Sequence, residues 1–239
     1  MLLSKLLTLI LLLLPHAALS LSPPLSRRSI LLSSPLLPAA FLVPAQATAA
    51  GPRSVLVAGA TGQTGRKILQ RLAADPGFSV AGGVRDPAKA AKVLSESSIQ
   101  VRGAMVDSVK AVDIEAVDLL RLDVVQESVE ELAKSMQGVD SLVIAVGFFG
   151  KVLDEKIVAE KYLRASGLDY TIVRPGGLKA TPPAGKLKIA AEDTLNEGEV
   201  SRDLVADVAV LALTQKSASN KVLEIVESTT EGVEKVTSL

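Results

Sequence analysis

From residue 53 onward, short β-branched apolar runs alternate with longer stretches whose apolar residues recur every three or four positions. The first pattern predicts strands buried on both faces, and the second predicts helices that bury one face. Ser54–Ala58 reads as the first strand and Gln63–Ala73 as a helix. Its Ile68, Leu69 and Leu72 share one face, while Arg66, Lys67, Gln70 and Arg71 fall mostly on the other. Pro76-Gly77 breaks the helix. Phe78–Val84 is a second strand, and Asp86-Pro87 opens a second helix, to about Leu94. Residues 96–116 are ambiguous between a weak strand and a short helix. Val117–Leu122 is a third strand, Val125–Gln137 a helix and Ser141–Val146 a fourth strand. Val152–Ser166 is an amphipathic helix, Tyr170–Arg174 a strand, Arg202–Thr214 a helix and Lys221–Val226 a last strand. This alternation predicts an α/β, Rossmann-type doubly wound parallel sheet with helices on both faces. No internal repeat is visible.

Between the first strand and its helix the chain reads Gly59-Ala60-Thr61-Gly62-Gln63-Thr64-Gly65. Gly59 permits a tight turn out of the strand. Gly62 lets backbone approach a pyrophosphate, and Gly65 lets the helix pack on the sheet. The helix N-terminus then aims free N–H groups at the phosphates. An NAD enzyme places Asp or Glu at the end of the second strand to bind the ribose 2′-hydroxyl. Arg85 stands there, 20 residues after Gly65, and a guanidinium suits a 2′-phosphate. The expectation is NADP(H) over NAD(H), the alternative being a solvated surface Arg. The adjacent Asp86 reads as a helix cap. Asp123 and Val124 end the third strand, where they would meet the adenine, although Asp123 also suits a helix cap. Ala145, Val146 and Gly147 end the fourth, where small residues leave room for the ribose.

Residues 1–50 differ from the rest. They hold Lys5, Arg27, Arg28 and no acid, so residues 51–239 carry 23 basic against 26 acidic residues. Lys5, the apolar run Leu6–Leu14, Pro15 and Ala18-Leu19-Ser20 make a signal-peptide layout over 1–20. Ser26-Arg27-Arg28-Ser29, a second apolar stretch to Val43 and Ala45-Gln46-Ala47 make a twin-arginine-like signal over 26–47. This arrangement resembles import into a plastid of secondary origin, with onward transfer to the thylakoid lumen. The alternative is one secretory signal before a linker, for secretion or the endoplasmic reticulum. The expected mature chain, 51–239, is one domain without a stable membrane span.

Composition narrows the chemistry. There is no Cys, and the one His, His16, lies in the extension. A Ser–His–Asp triad, a Cys–His pair and an ordinary zinc site are therefore excluded from the body. The near-neutral charge and 3% aromatic content give no reason to bind nucleic acid. A borrowed cofactor fits what remains.

The segments GATGQTG, VRDP at 84–87, AEKYLRASGLDYTIVRPGGL at 159–178 and EVSRDLVADVAVLAL at 199–213 resemble the atypical short-chain dehydrogenase/reductases. Their NAD(P)-binding, NmrA-like group of plants and algae is the most similar branch. It includes plastid proteins similar to a translocon-associated dehydrogenase that tethers ferredoxin–NADP reductase. The resemblance covers 53 to about 227 and implies a plastid redox protein as partner. It places Arg174-Pro175-Gly176, with Gly177, beside the nicotinamide. It also makes Lys156 the lysine of a Tyr-x-x-x-Lys pair, in which Tyr donates a proton and Lys holds the ribose. Here the position four residues earlier is Val152, and neither Tyr162 nor Tyr170 has Lys at +4.

The resemblance also implies a helix and a fifth strand, ending in a catalytic Ser, between the fourth strand and the Lys helix. This chain passes directly from Val146-Gly147-Phe148-Phe149-Gly150 to Val152. The expected sheet order is 3-2-1-4-6-7, with strand 170–174 pairing directly with strand 141–146. Three functions compete. One is an NADPH-dependent reductase of a small carbonyl, enone or quinone-like substrate. The second is a non-catalytic NADP(H)-binding redox sensor or scaffold. The third is an inactive product of a truncated gene.

Overall fold

A computed structural model describes residues 8–12, 51–95, 98–101, 104–108, 112–146, 152–195, 197–231 and 236–239. Strand β1 (Thr8–Leu12) precedes the first of the expected elements, β2 (Arg53–Ala58). Helix α1 (Gln63–Ala73), β3 (Phe78–Val84) and α2 (Pro87–Ser95) follow where the periodicity placed them. The ambiguous stretch forms an antiparallel hairpin of β4 (Ser98–Val101) and β5 (Ala104–Ser108), then a short 3-10 turn at Ile114–Ala116. Next come β6 (Asp118–Arg121), α3 (Val129–Ser135), β7 (Ser141–Ile144) and α4 (Val152–Ala165). The remainder is β8 (Tyr170–Pro175), β9 (Gly177–Lys179), β10 (Gly185–Ala190), β11 (Glu199–Ser201), α5 (Arg202–Ala212) and β12 (Lys221–Glu231).

The main sheet has eight strands in the order β6-β3-β2-β7-β1-β8-β12-β10. All neighbours are parallel except β10 and β12. The expected 3-2-1-4 half is β6-β3-β2-β7. The expected direct pairing of strand 170–174 with strand 141–146 does not occur, because β1 lies between them. Leu11 is the register partner of both Ile144 and Ile172. The reason is physical: an empty slot would leave two rows of backbone N–H and C=O groups unpaired, and an apolar extended segment satisfies both.

Alternate residues of β2 face two cores, as a doubly covered strand requires. Val55 and Val57 pack with Ile68, Leu69 and Leu72 of α1 and with α5. Leu56 and Ala58 pack with Leu122, Leu142 and, from α3, Leu132. The polar face of α1 meets α5 instead of open solvent. Lys67 Nζ lies 3.0 Å from Asp203 Oδ2, and Arg71 Nε lies 2.6 Å from Asp207 Oδ1. Arg66, expected on the polar face, is fully buried. Its Nη1 and Nη2 donate to the carbonyls of Val93 and Leu94 at 3.1 and 2.8 Å, at the C-terminal end of α2.

Candidate dinucleotide site

The carboxyl ends of β2, β3, β6 and β7 open onto a crevice of about 580 Å³, within the range of small-molecule pockets. Gly59 turns the chain out of β2 at φ +81°, a backbone that glycine adopts without strain. Its N–H donates to the Gly83 carbonyl at 3.2 Å, and its carbonyl accepts from Gly62 N at 2.9 Å. A Cβ on Gly65 would lie 2.2 Å from the Gly59 carbonyl oxygen, so only glycine lets α1 start this close to the turn.

Gly62 is the N-cap of α1. It supplies no side-chain cap, and the first turn carries no acid. The N–H groups of that turn are therefore left for an incoming anion, with the positive end of the helix dipole behind them. Gly59, Thr61 and Gly62 line the crevice, while Gln63, Thr64 and Gly65 form the first turn behind it.

Arg85 lines the crevice at the end of β3 and is exposed. No hydrogen bond or ion pair engages it among the described residues. Its acidic neighbour Asp86 is committed elsewhere, accepting from Lys89 N at 3.1 Å as the cap of α2. Asp123 and Val124 line the crevice beyond β6. Asp123 is buried, and its Oδ1 accepts from Val125 N and Gln126 N at 3.1 and 3.3 Å, so one oxygen is spent on its own turn. Ala145 and Val146 complete the wall. Ala145 N donates to the Ala58 carbonyl at 2.9 Å, which carries the ladder past the end of β7. Gly147 lies outside the described residues.

The other half of the expected site is built differently. Lys156 is buried on α4, and its Nζ has no hydrogen-bond partner. Burial without a counter-charge lowers its pKa from the ordinary lysine value. Pro175 is buried, and Gly176 and Gly177 serve packing. Gly176 N donates to Ile225 O, Gly177 N donates to Gly198 O, and a Cβ on Gly176 would fall 2.5 Å from Gly198 O. Lys156, Pro175, Gly176 and Gly177 are not among the residues that line the crevice.

Sequence reasoning missed Glu224 and Glu227 of β12. Glu224 accepts from the backbone N–H groups of Asp193, Thr194 and Leu195 at 2.8–3.0 Å. Glu227 accepts from Lys179 Nζ, Ala184 N, Gly185 N and Ser201 N. Together they staple the 178–201 segment to the sheet. Their sequence signal is two acids three residues apart, flanking the apolar pair Ile225-Val226.

A glycine turn, an uncapped helix start and a carboxyl-end crevice in a parallel sheet define a dinucleotide-binding Rossmann protein. The chain belongs to the NAD(P)H-binding family, whose description matches residues 59–116 and 146–216. A chloroplastic protein of Arabidopsis thaliana, itself uncharacterised, is 38% identical over 217 residues, covering 73% of this chain and 76% of the relative. The chloroplastic protein TIC 62 of Pisum sativum is 27% identical over 236 residues, covering 74% of this chain and 43% of that relative. A Rossmann-fold NAD(P)-binding protein of Shigella flexneri shares the fold with a TM-score of 0.58 at 20% identity, covering 78% of this chain and 99% of that one. Among the described residues no helix is long and apolar enough to cross a membrane, and no group of His, Cys, Asp and Glu is placed to hold a metal.

Proposed function

We propose that the protein binds NADP(H) in preference to NAD(H), in a plastid, and passes hydride to a small carbonyl or quinone-like acceptor. The observation that carries the cofactor choice is Arg85: a free guanidinium at the edge of the crevice, where an NAD protein would carry an acid. The uncapped turn of α1 and the bare Gly62 fit a pyrophosphate. The chloroplastic relatives support the plastid, and the two signal-like segments at 1–20 and 26–47 support import across several membranes.

When bound, the nicotinamide supplies the hydride. The chain's own residues would hold the cofactor: α1 at the pyrophosphate, Arg85 at the 2′-phosphate, Ala145 and Val146 against the ribose. The test is a titration with NADPH and NADH by fluorescence, on the wild type and Arg85→Ala. The wild type is expected to prefer NADPH. The variant should lose about tenfold or more in NADPH affinity, with NADH unchanged, since a charge-assisted contact is worth about 1.5–3 kcal/mol. Equal losses for both cofactors would overturn the 2′-phosphate role.

One observation favours a second reading, a non-catalytic holder of NADP(H) that serves a redox partner. Val152 stands where a proton-donating Tyr would be expected. NADPH binding with no oxidation across a carbonyl and quinone panel would select it.

A further inference from the structure

Among the described residues, β1 is the strand that joins the two halves of the main sheet. Without it, β6-β3-β2-β7 would end at β7, and β8-β12-β10 would begin at β8. It runs parallel to both, with Thr8, Leu9, Ile10 and Leu11 opposite Ser141, Leu142, Val143 and Ile144. On its other side Leu9, Ile10, Leu11 and Leu12 stand opposite Tyr170, Thr171, Ile172 and Val173. Both flanking strands have buried centres, including Val143 and Ile172 at 0% exposure. The slot between them is one strand wide.

The Arabidopsis relative aligns over 217 residues with 73% of this chain. That share of 239 residues is about 174, so about 40 aligned positions have no counterpart here. This suits one strand with its crossover, which needs a dozen or more residues beyond the strand. The chain has only seven residues between the end of β7 at Ile144 and the start of α4 at Val152.

We infer that the gap between β7 and β8 is an acceptor site for one extended apolar strand, and that residues 8–12 are its occupant in the full-length chain. Recognition is by backbone hydrogen bonding on two edges. The same apolar run cannot serve a signal receptor and the sheet in one molecule. Removing the leader after folding would therefore open the slot, while the leader in place keeps the two half-sheets continuous.

Amide hydrogen exchange on the full-length chain tests this. Residues 8–12, 141–144 and 170–173 are expected to be protected together. Ile10→Pro removes a ladder N–H in the middle of β1. It should raise exchange in all three segments about a hundredfold or more, while Leu3→Pro, outside the strand, should not. A peptide of residues 6–14 with lysine tails, added to the Ile10→Pro chain, should restore protection at 141–144 and 170–173. Unprotected residues 8–12 in the wild type, beside fully protected 141–144 and 170–173, would overturn the inference. So would an Ile10→Pro chain whose exchange matches the wild type.

Discussion

Arg174 and Glu160 are joined at 2.9 Å, Nη2 to Oε1, and this pair ties β8 to α4. The same guanidinium reaches Glu192 Oε1 and Asp193 Oδ1, both at 2.9 Å, and Glu224 Oε1 at 3.6 Å. Arg164 shares Glu160 and Glu192 from the helix side, both at 2.6 Å. Burial opposes the charge on Arg174, but the surrounding carboxylates outweigh it and hold the pKa above the ordinary value. The arginine of the Arg-Pro-Gly segment is thus a clamp on the 191–195 loop, with both amino groups in use.

Replacing Arg174 with Met should therefore act on stability and loop order. Glu160 retains Arg164, and Glu224 retains three backbone donors, so the loss is less than for an isolated buried pair. We expect about 2 kcal/mol, read from the urea midpoint. Exchange at the amides of Asp193, Thr194 and Leu195 should rise with it. An unchanged midpoint would show that the network contributes no net stability.

The Glu224 and Glu227 carboxyls define the acid limit of the fold. Burial alone would raise both. Backbone donors outweigh it at Glu224, and Lys179 with backbone N–H groups does so at Glu227, so both lie below the ordinary Glu value. Asp203 is likewise lowered, with Lys67 and Arg71 overcoming burial. A depressed folded pKa means that the unfolded state binds more protons as pH falls. The stability is fully present above the unfolded values of about 4 and is lost as pH drops through the folded ones. Melting temperature should be flat from about pH 7 to 5 and fall steeply below about pH 4. Glu227→Gln places an amide donor among four donors. It should cost about 2 kcal/mol at pH 7 and flatten the acid decline.

How much of this was legible follows from how local each cause is. The glycine loop, the Pro76-Gly77 break and the β-branched runs act within a few residues, and the first βαβ unit appeared where they placed it. The edge strand β10 did not. Its Lys186, Leu187, Lys188 and Ile189 alternate as a half-exposed strand should, but Pro182-Pro183 beside it reads as loop. Its partner in the sheet is β12, some 40 residues later. Helical period assigns Arg66 to the polar face, because it cannot see the carbonyls of Val93 and Leu94 at the end of α2. The run at 8–12 has a composition that serves a signal or a strand equally well, and the slot it fills between β7 and β8 is made by segments about 130 and 160 residues away, which local pattern cannot see.

Two glycines of the phosphate loop should respond differently to alanine. At Gly65 the new Cβ would sit 2.2 Å from the Gly59 carbonyl oxygen and 2.9 Å from its carbon, both backbone atoms. Nothing flexible is there to yield, so Gly65→Ala should cost about 3 kcal/mol or more and lower the melting temperature. At Gly62 the backbone is extended, with φ −69° and ψ 160°, and the nearest atom is the Gly59 oxygen at 3.1 Å. Gly62→Ala should cost about 1 kcal/mol or less. Its methyl group would stand in the crevice, so NADPH affinity should fall about tenfold or more while the fold remains. Equal loss of stability in the two variants would refute the division of labour.

Lys156 offers the sharpest separation of stability from function. Its Nζ is buried without a partner, and burial lowers its pKa. An unpaired buried ammonium destabilises the fold that holds it. Lys156→Met keeps the apolar stem and removes the charge, so the cofactor-free protein should gain about 1–2 kcal/mol at pH 7. The sign has a pH signature. Between the folded and unfolded pKa values the unfolded state binds more protons, so wild-type stability rises with pH on approaching about 10. The Met variant should lack that rise. If the amine is kept for the cofactor's ribose, the same substitution should weaken NADPH binding about tenfold, or about 1.4 kcal/mol. A variant that is more stable yet binds NADPH as well as the wild type would leave the lysine without a role at the cofactor.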